Sequence, residues 1–372
     1  MIMSSFRARH RLPSRGTTRL GVAALIGAAL LGARATAGAA RALPCAMGLA
    51  DARWVAAALA HWPVAVRDLL RLPPAPLPTI VTFDRRCAFI ATPRAGGARV
   101  WRGTPHGGTV TLPDGKRIPA GVTSLAAPAG DASGRAGYFV MSLPSMWRAG
   151  GVRSGLGLER LMDGVLLHEL MHTRQFYFAN PVLADVTRRY GLSEDSVDDD
   201  AVQRAYEKNP AYVADYTAER DLLFAAAAAP DTAEARRLAR EALARLRARR
   251  ARWFVGNAAR WGPVDEIFLT MESLGQWVAY TWYTTTEEPH LTPDAALREV
   301  RRGGRYWTQD EGLALFLVVD RLVPGWQRLA FAPEPATAEA LLARAGDEPA
   351  AVDDRSSTAR RPGASSPSRP AP

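Results

Sequence analysis

Gly164-Val-Leu-Leu-His-Glu-Leu-Met-His-Thr-Arg-Gln175 is the stretch on which the reading of the whole chain turns. Val165, Leu166, Leu167, Leu170 and Met171 surround its polar residues with apolar ones, which predicts a buried helix. His168 and His172 are four residues apart, so on that helix they project from one face, about one turn from each other. Two imidazoles so placed can meet one tetrahedral zinc ion at about 2.0–2.1 Å. Glu169, next to the first histidine, can reach a water held by the metal and take its proton as general base. Five-residue matches of this kind also arise by chance, in core helices whose histidines bond to carbonyls. The apolar surround weighs against chance here, because two imidazoles and a carboxylate in a buried helix need partners.

Upstream of this helix the chain reads as strands. Thr79–Phe83, Ala88–Thr92, Thr109–Leu112 and Tyr138–Leu143 are short β-prone runs, with a turn signal at Pro113-Asp-Gly-Lys116. Before them, residues 51–70 place Trp54, Ala58, His61, Trp62, Val66 and Leu69 at helical spacing, with Pro63 expected to kink or divide the run. Downstream the chain is helical. One long helix is expected over residues 157–178, others over 212–229, 231–254 and 265–283, and shorter ones near 293–300, 308–322 and 337–344. Asp231-Thr-Ala-Glu234 has the form of a helix start. Strands first and helices afterwards predict an α+β protein, a small mixed sheet followed by a mainly helical region.

A catalytic zinc has three protein ligands and one open position. After His172 the only further histidine is His290, in a loop-like segment, so the third ligand is expected to be a carboxylate on a later helix. The motif resembles the zincin metallopeptidases of gluzincin type, and in particular uncharacterised exported bacterial members, in which a glutamate helix follows the HExxH helix. The resemblance spans roughly residues 135–285. It implies a zincin-like catalytic region and a third ligand at Glu272, since Leu269-Thr-Met-Glu-Ser-Leu-Gly-Gln-Trp-Val-Ala-Tyr280 resembles the Glu-Gly-x-Ala-x-Tyr helix of such proteins. Ser273 replaces the usual Gly and Gly275 the Ala; both are small, so a close approach of helix to metal survives. Glu219, in Asp215-Tyr-Thr-Ala-Glu-Arg-Asp221, is the rival ligand, with charged neighbours that suggest a solvated turn or an ion-pair network. Two departures from the family stand out. Arg174 follows the motif where an apolar residue is preferred, and the 100 residues from His172 to Glu272 exceed the usual gap, so residues 212–254 must fill it as a helical insertion. The resemblance also implies that Tyr138–Leu143 is an edge strand against which a peptide lies. Gln175, Gln276, Tyr280 and Tyr216 are candidates for supporting or oxyanion roles, though a structural role is the commoner fate of such residues.

The amino terminus reads as an export signal. A basic region from Arg7 to Arg19 precedes an apolar one from Gly21 to Ala33, and Ala35-Thr36-Ala37 fits a cleavage site. The apolar stretch is shorter than the roughly 20 residues a spanning helix needs, and no later segment reaches that length. An uncleaved short anchor is the alternative. Six of the ten net positive charges are arginines 7, 9, 11, 15, 19 and 34, which leaves +4 on the rest. No motif interleaves aromatics with basic residues, so nucleic acid is not expected as a partner. Cys45 and Cys87, the only cysteines, either form one disulfide or remain two buried thiols, and their spacing excludes a cysteine-rich zinc module.

The organisation expected is a signal peptide over 1–37, an N-terminal helix and sheet region over 38–153, the catalytic region over 154–285, a C-terminal helical region over 286–345 and a disordered tail over 346–372. The function expected is that of an exported, periplasmic or extracellular zinc-dependent hydrolase, a peptidase acting on peptide or protein. The alternative is a zincin-fold envelope protein that binds or scaffolds with little or no catalysis. Nothing in the sequence fixes the oligomeric state.

Overall fold

Hydrophobic alternation places the sheet between two apolar layers. In the computed structural model, which describes residues 45–74, 76–92, 100–129, 136–193, 196–287 and 289–347, the chain is α+β. The strands are β1 (Thr79–Phe83), β2 (Cys87–Ala91), β3 (Trp101–Pro105), β4 (Thr109–Thr111), β5 (Arg117–Pro119), β6 (Ser124–Pro128) and β7 (Gly137–Ser142). Five of them form one mixed sheet in the order β3-β2-β1-β7-β6, in which only β1 and β7 run parallel. Along β7, Phe139 and Met141 point to the helices, while Tyr138 and Val140 point to the opposite face. That second face is covered by the β4–β5 hairpin through Val110 and Ile118. Period-2 alternation thus puts side chains into two cores from one strand.

Two expectations about the strands are corrected. Tyr138–Leu143 is not the edge: β7 lies between β1 and β6, and β6 forms the edge beside the helices. Its sequence, Ser-Leu-Ala-Ala-Pro, has no β-branched residue, so the strand carries no local signal. Thr109–Leu112 does not join the main sheet but pairs with β5 across the turn at Asp114-Gly115.

The helices are α1 (Leu49–Val64), α2 (Pro144–Ala149), α3 (Leu158–His172), α4 (Phe176–Tyr190), α5 (Ala201–Tyr206), α6 (Pro210–Ala228), α7 (Thr232–Trp253), α8 (Trp261–Thr281), α9 (Pro293–Arg301), α10 (Trp307–Leu322), α11 (Trp326–Ala330) and α12 (Ala338–Gly346). The α1 helix runs through Pro63 and widens into a π turn over Ala65–Leu69. The long helix expected over 157–178 is two helices. The Thr173 hydroxyl takes the Leu170 carbonyl at 2.7 Å, and successive short-range bonds from the amides of Thr173, Arg174 and Gln175 close the last turn of α3. Asp231 caps α7 by accepting from the Glu234 amide at 2.8 Å, as its sequence predicts.

At the centre of the helical layer is α8, buried almost all round from Val264 to Ala279, with α3, α4, α10 and α12 packed on it. One apolar cluster runs from Trp54 through the sheet and α3 to Ala345, so the first and last helices share a core. The Trp54 indole ties α1 to α3 by donating to Asp163 at 2.9 Å. Cys45 and Cys87 are joined in a disulfide that holds the chain before α1 against β2. The expected signal segment, and the tail beyond Asp347, lie outside the described residues.

Candidate metal centre

The last turn of α3 and the middle of α8 face each other across a very short gap. His168 and His172 project from α3, as a four-residue spacing requires, and Glu272 meets them from α8. His168 Nε2 and His172 Nε2 are 3.0 Å apart. The Glu272 carboxylate places Oε2 3.1 Å from the first and Oε1 3.2 Å from the second. Ligand atoms around a small tetrahedral cation, at bond lengths of about 2.0–2.1 Å, stand about 3.3 Å from one another. Among the described residues this is the one group of three such side chains whose donor atoms converge in this way.

The environment sharpens that geometry into a chemical requirement. Glu272 is 0% exposed, and neither of its oxygens receives a well-directed hydrogen bond from the protein. A buried carboxylate without a donor is expensive unless a cation faces it. Without a metal that cation is an imidazolium. Burial works against charge on His172, but the Glu272 carboxylate overcomes it and raises the ring to about 9. Burial likewise pushes Glu272 up, and the two imidazoles more than offset it and hold it below the usual carboxylate range. Burial dominates at His168, which is lowered. The donor set, two imidazole nitrogens and one carboxylate, therefore fits a metal ion that would replace this proton-mediated pairing.

His172 is held from behind. Its Nδ1 lies 2.9 Å from Gln175 Oε1, while the Gln175 amide nitrogen faces the carbonyls of Met271 and Thr270 at 3.4 and 3.5 Å. With two carbonyls on one side of the amide, its oxygen must face the ring, so Nδ1 carries a proton and Nε2 is free to ligate. His168 is positioned by packing. A Cβ on Gly275 would stand 2.7 Å from its ring, so only glycine admits the imidazole there. Ser273 serves no such approach: it faces α10, where a Cβ on Gly312 would meet it at 2.7 Å.

Glu169 lies beside the three converging side chains and is nearly as buried. Burial raises its carboxyl to about 8, with the Glu272 charge adding to the rise, while His172 and the Ala126 amide of β6 act against it. The carboxyl thus reaches the edge strand as well as the neighbourhood of the ligands. One of its oxygens, Oε2, has no hydrogen-bond partner among the described residues.

No protein-family model matches this chain, and no curated protein or solved structure matches it. The site therefore rests on its own geometry.

Glu219, the rival ligand, is not solvated and is not part of the converging group. It is 0% exposed and takes a two-point contact from Arg249, at 2.7 and 3.2 Å. Arg249 also reaches Glu311 at 2.9 Å and the Tyr212 hydroxyl at 2.7 Å, so α6, α7 and α10 are tied through one guanidinium. Of the other candidates, Gln276 donates to Gln309 at 2.6 Å, and Tyr216 stacks on Trp307 and donates to its carbonyl. His290 is exposed and bonds to the Glu287 carbonyl, away from the centre.

Two residues that sequence reading passed over also face the site. Asp199, buried in the loop between α4 and α5, accepts from Gln309. Burial and then the Glu272 charge push its carboxyl well above the usual range. Arg302, just after α9, lines a pocket with His168 and Gln276. Asp199 stands in a loop and Arg302 opens the short 3-10 turn after α9, and in both the approach to the site depends on tertiary packing. The Asp198-Asp-Asp200 run and the Arg302-Gly-Gly304 break are the only local signals.

Proposed function

We propose that this protein is an exported zinc-dependent hydrolase of gluzincin-like type, a peptidase, in which His168, His172 and Glu272 hold Zn2+. The observation that carries the reading is the convergence of three buried side chains, two imidazole Nε2 atoms 3.0 Å apart with one oxygen of the undonated Glu272 carboxylate 3.1 Å from the first and the other 3.2 Å from the second, and a further carboxylate, Glu169, alongside. Imidazole and carboxylate are ligands that suit zinc, and three of them leave a fourth position for water. Zinc would lower the pKa of that water and polarise the scissile carbonyl. Glu169 would take the water's proton and pass it to the departing amine, so that one amide and one water become a carboxylic acid and an amine. The Cys45–Cys87 disulfide supports the export reading, since such bonds persist in oxidising compartments. No helix among the described residues is long and apolar enough to cross a membrane.

The near-complete burial of His168, Glu169, His172 and Glu272 favours a second reading, an envelope protein that holds zinc as a scaffold with little or no catalysis. One experiment separates the two. The purified protein should contain about one zinc per chain and hydrolyse peptides, and Glu169→Gln should keep the metal and lose the hydrolysis. Zinc near zero would end both readings, and bound zinc without hydrolysis of a broad peptide set would leave the scaffold.

A further inference from the structure

The two histidines of the centre are not held alike. His172 has Gln175 against its Nδ1, and none of its side chain is exposed. The side chain of His168 keeps 8% of its surface, and its Nδ1 has no hydrogen-bond partner among the described residues. When Nε2 ligates a metal, Nδ1 carries a proton, and that N–H ordinarily donates to a carboxylate, a carbonyl or a water.

A small cavity lies beside His168, between α3 and α8. Its volume is about 10 Å³, room for about one water molecule. Gln276 lines it from α8, next to Gly275, where a Cβ would stand 2.7 Å from His168 Nδ1. The Gln276 amide is oriented from behind. Its nitrogen donates to Gln309 Oε1 at 2.6 Å, and the Gln309 nitrogen donates in turn to Asp199 Oδ2 at 3.3 Å. A carboxyl oxygen at the end of this chain sets the direction of both amides, so the Gln276 oxygen is the atom left to face the cavity as an acceptor. Glu299 also lines the cavity, but it already takes the Ser154 hydroxyl at 2.9 Å, and Arg302 is engaged within the protein.

We propose that one water occupies this cavity, accepting from His168 Nδ1 and donating to Gln276 Oε1, which makes Gln276 a positioning residue for the first histidine of the centre. The water gives His168 the outer partner that Gln175 gives His172 directly. The inference rests on the metal-centre reading, yet the water can be tested apart from it. A crystal structure of the purified protein, with or without zinc bound, should show one water about 2.7–3.2 Å from both atoms. In the zinc-loaded protein, Gln276→Met keeps the volume and removes the acceptor, and should weaken metal binding about tenfold in competition with a chelator. Proton NMR of the same sample should show the His168 ring N–H signal displaced while that of His172, held by Gln175, stays in place. A cavity without water, a water bonded to Glu299 and not to Gln276, unchanged affinity, or a change in both ring signals alike would overturn the proposal. Wild-type protein that takes up no zinc would end the hydrolase reading and leave the crystallographic result standing, so either idea can fail alone.

Discussion

Gln175 Oε1 lies 2.9 Å from His172 Nδ1, and this contact joins the two helices that the break after His172 separates. Because Gln175 is itself fixed by backbone carbonyls of α8, it sets the ring orientation relative to the helix that carries Glu272. Gln175→Ala should therefore weaken metal binding about 10–100-fold, the usual effect of removing an outer partner of a ligand histidine, with little change in the fold. Competition with a chelator would measure it. Unchanged affinity would mean that packing alone holds the ring.

Glu272 and Glu219 are both fully buried glutamates, and their substitution should give opposite results. Glu272→Gln removes a charged ligand and should cost more metal affinity than Gln175→Ala. Glu219→Ala should keep the metal and lower stability by about 3 kcal/mol, because Arg249 loses its two-point partner inside the protein. Metal content and a urea midpoint, measured on both variants, test the assignment. Loss of metal in the Glu219 variant while it remains folded would reverse it.

The three converging side chains were legible in the sequence for a local reason. Four-residue spacing on an apolar helix fixes where His168 and His172 point, and the apolar neighbours of Glu272 require a cation partner for it. The charged neighbours of Glu219 suggested either solvent or ion pairs, and only packing decides between them: Arg249, 30 residues away, holds Glu219 itself inside the protein. The break at Thr173–Gln175 had no glycine or proline to announce it. The β6 edge could not be read from small residues whose pairing partners come later in the chain, and Arg302 reaches His168 only through the fold.

Gly275 offers a test of the close approach of α3 and α8. Adding one methyl with Gly275→Ala puts a carbon 2.7 Å from the His168 ring, well inside contact distance. The helices must part or the ring must turn, at a cost of about 1–3 kcal/mol typical of overpacking. Metal affinity should fall although alanine favours helix at this position. A variant that is more stable and binds metal unchanged would show that the helices have slack.

The disulfide should contribute to stability through the unfolded chain. Closing a loop across a separation of 42 residues corresponds to about 4 kcal/mol in the chain-entropy account. Replacing Cys45 and Cys87 together by serine should lower the urea midpoint accordingly and leave the metal centre in place. An unchanged midpoint would mean that the denatured state is already constrained near these residues.

The last prediction concerns pH, and its sign comes from Glu311. Burial raises this carboxyl well above the ordinary range, and the nearby Glu219 and Asp265 charges add to the rise, while Arg249 opposes it. A carboxyl whose folded pKa lies above its unfolded value, about 4.3 for glutamate, binds its proton more tightly in the folded state. Its contribution is therefore complete below about pH 4 and is lost as the pH climbs through the folded value. Wild-type stability should thus decline from mildly acid toward alkaline pH. Glu311→Gln resembles the protonated form, keeps an oxygen for Arg249 Nη2 at the 2.9 Å contact, and cannot lose a proton. Its stability should be close to wild type at pH 5, greater above neutrality, and flatter between. Urea midpoints of both proteins at a series of pH values give the comparison, and parallel curves would show that Glu311 does not titrate with folding.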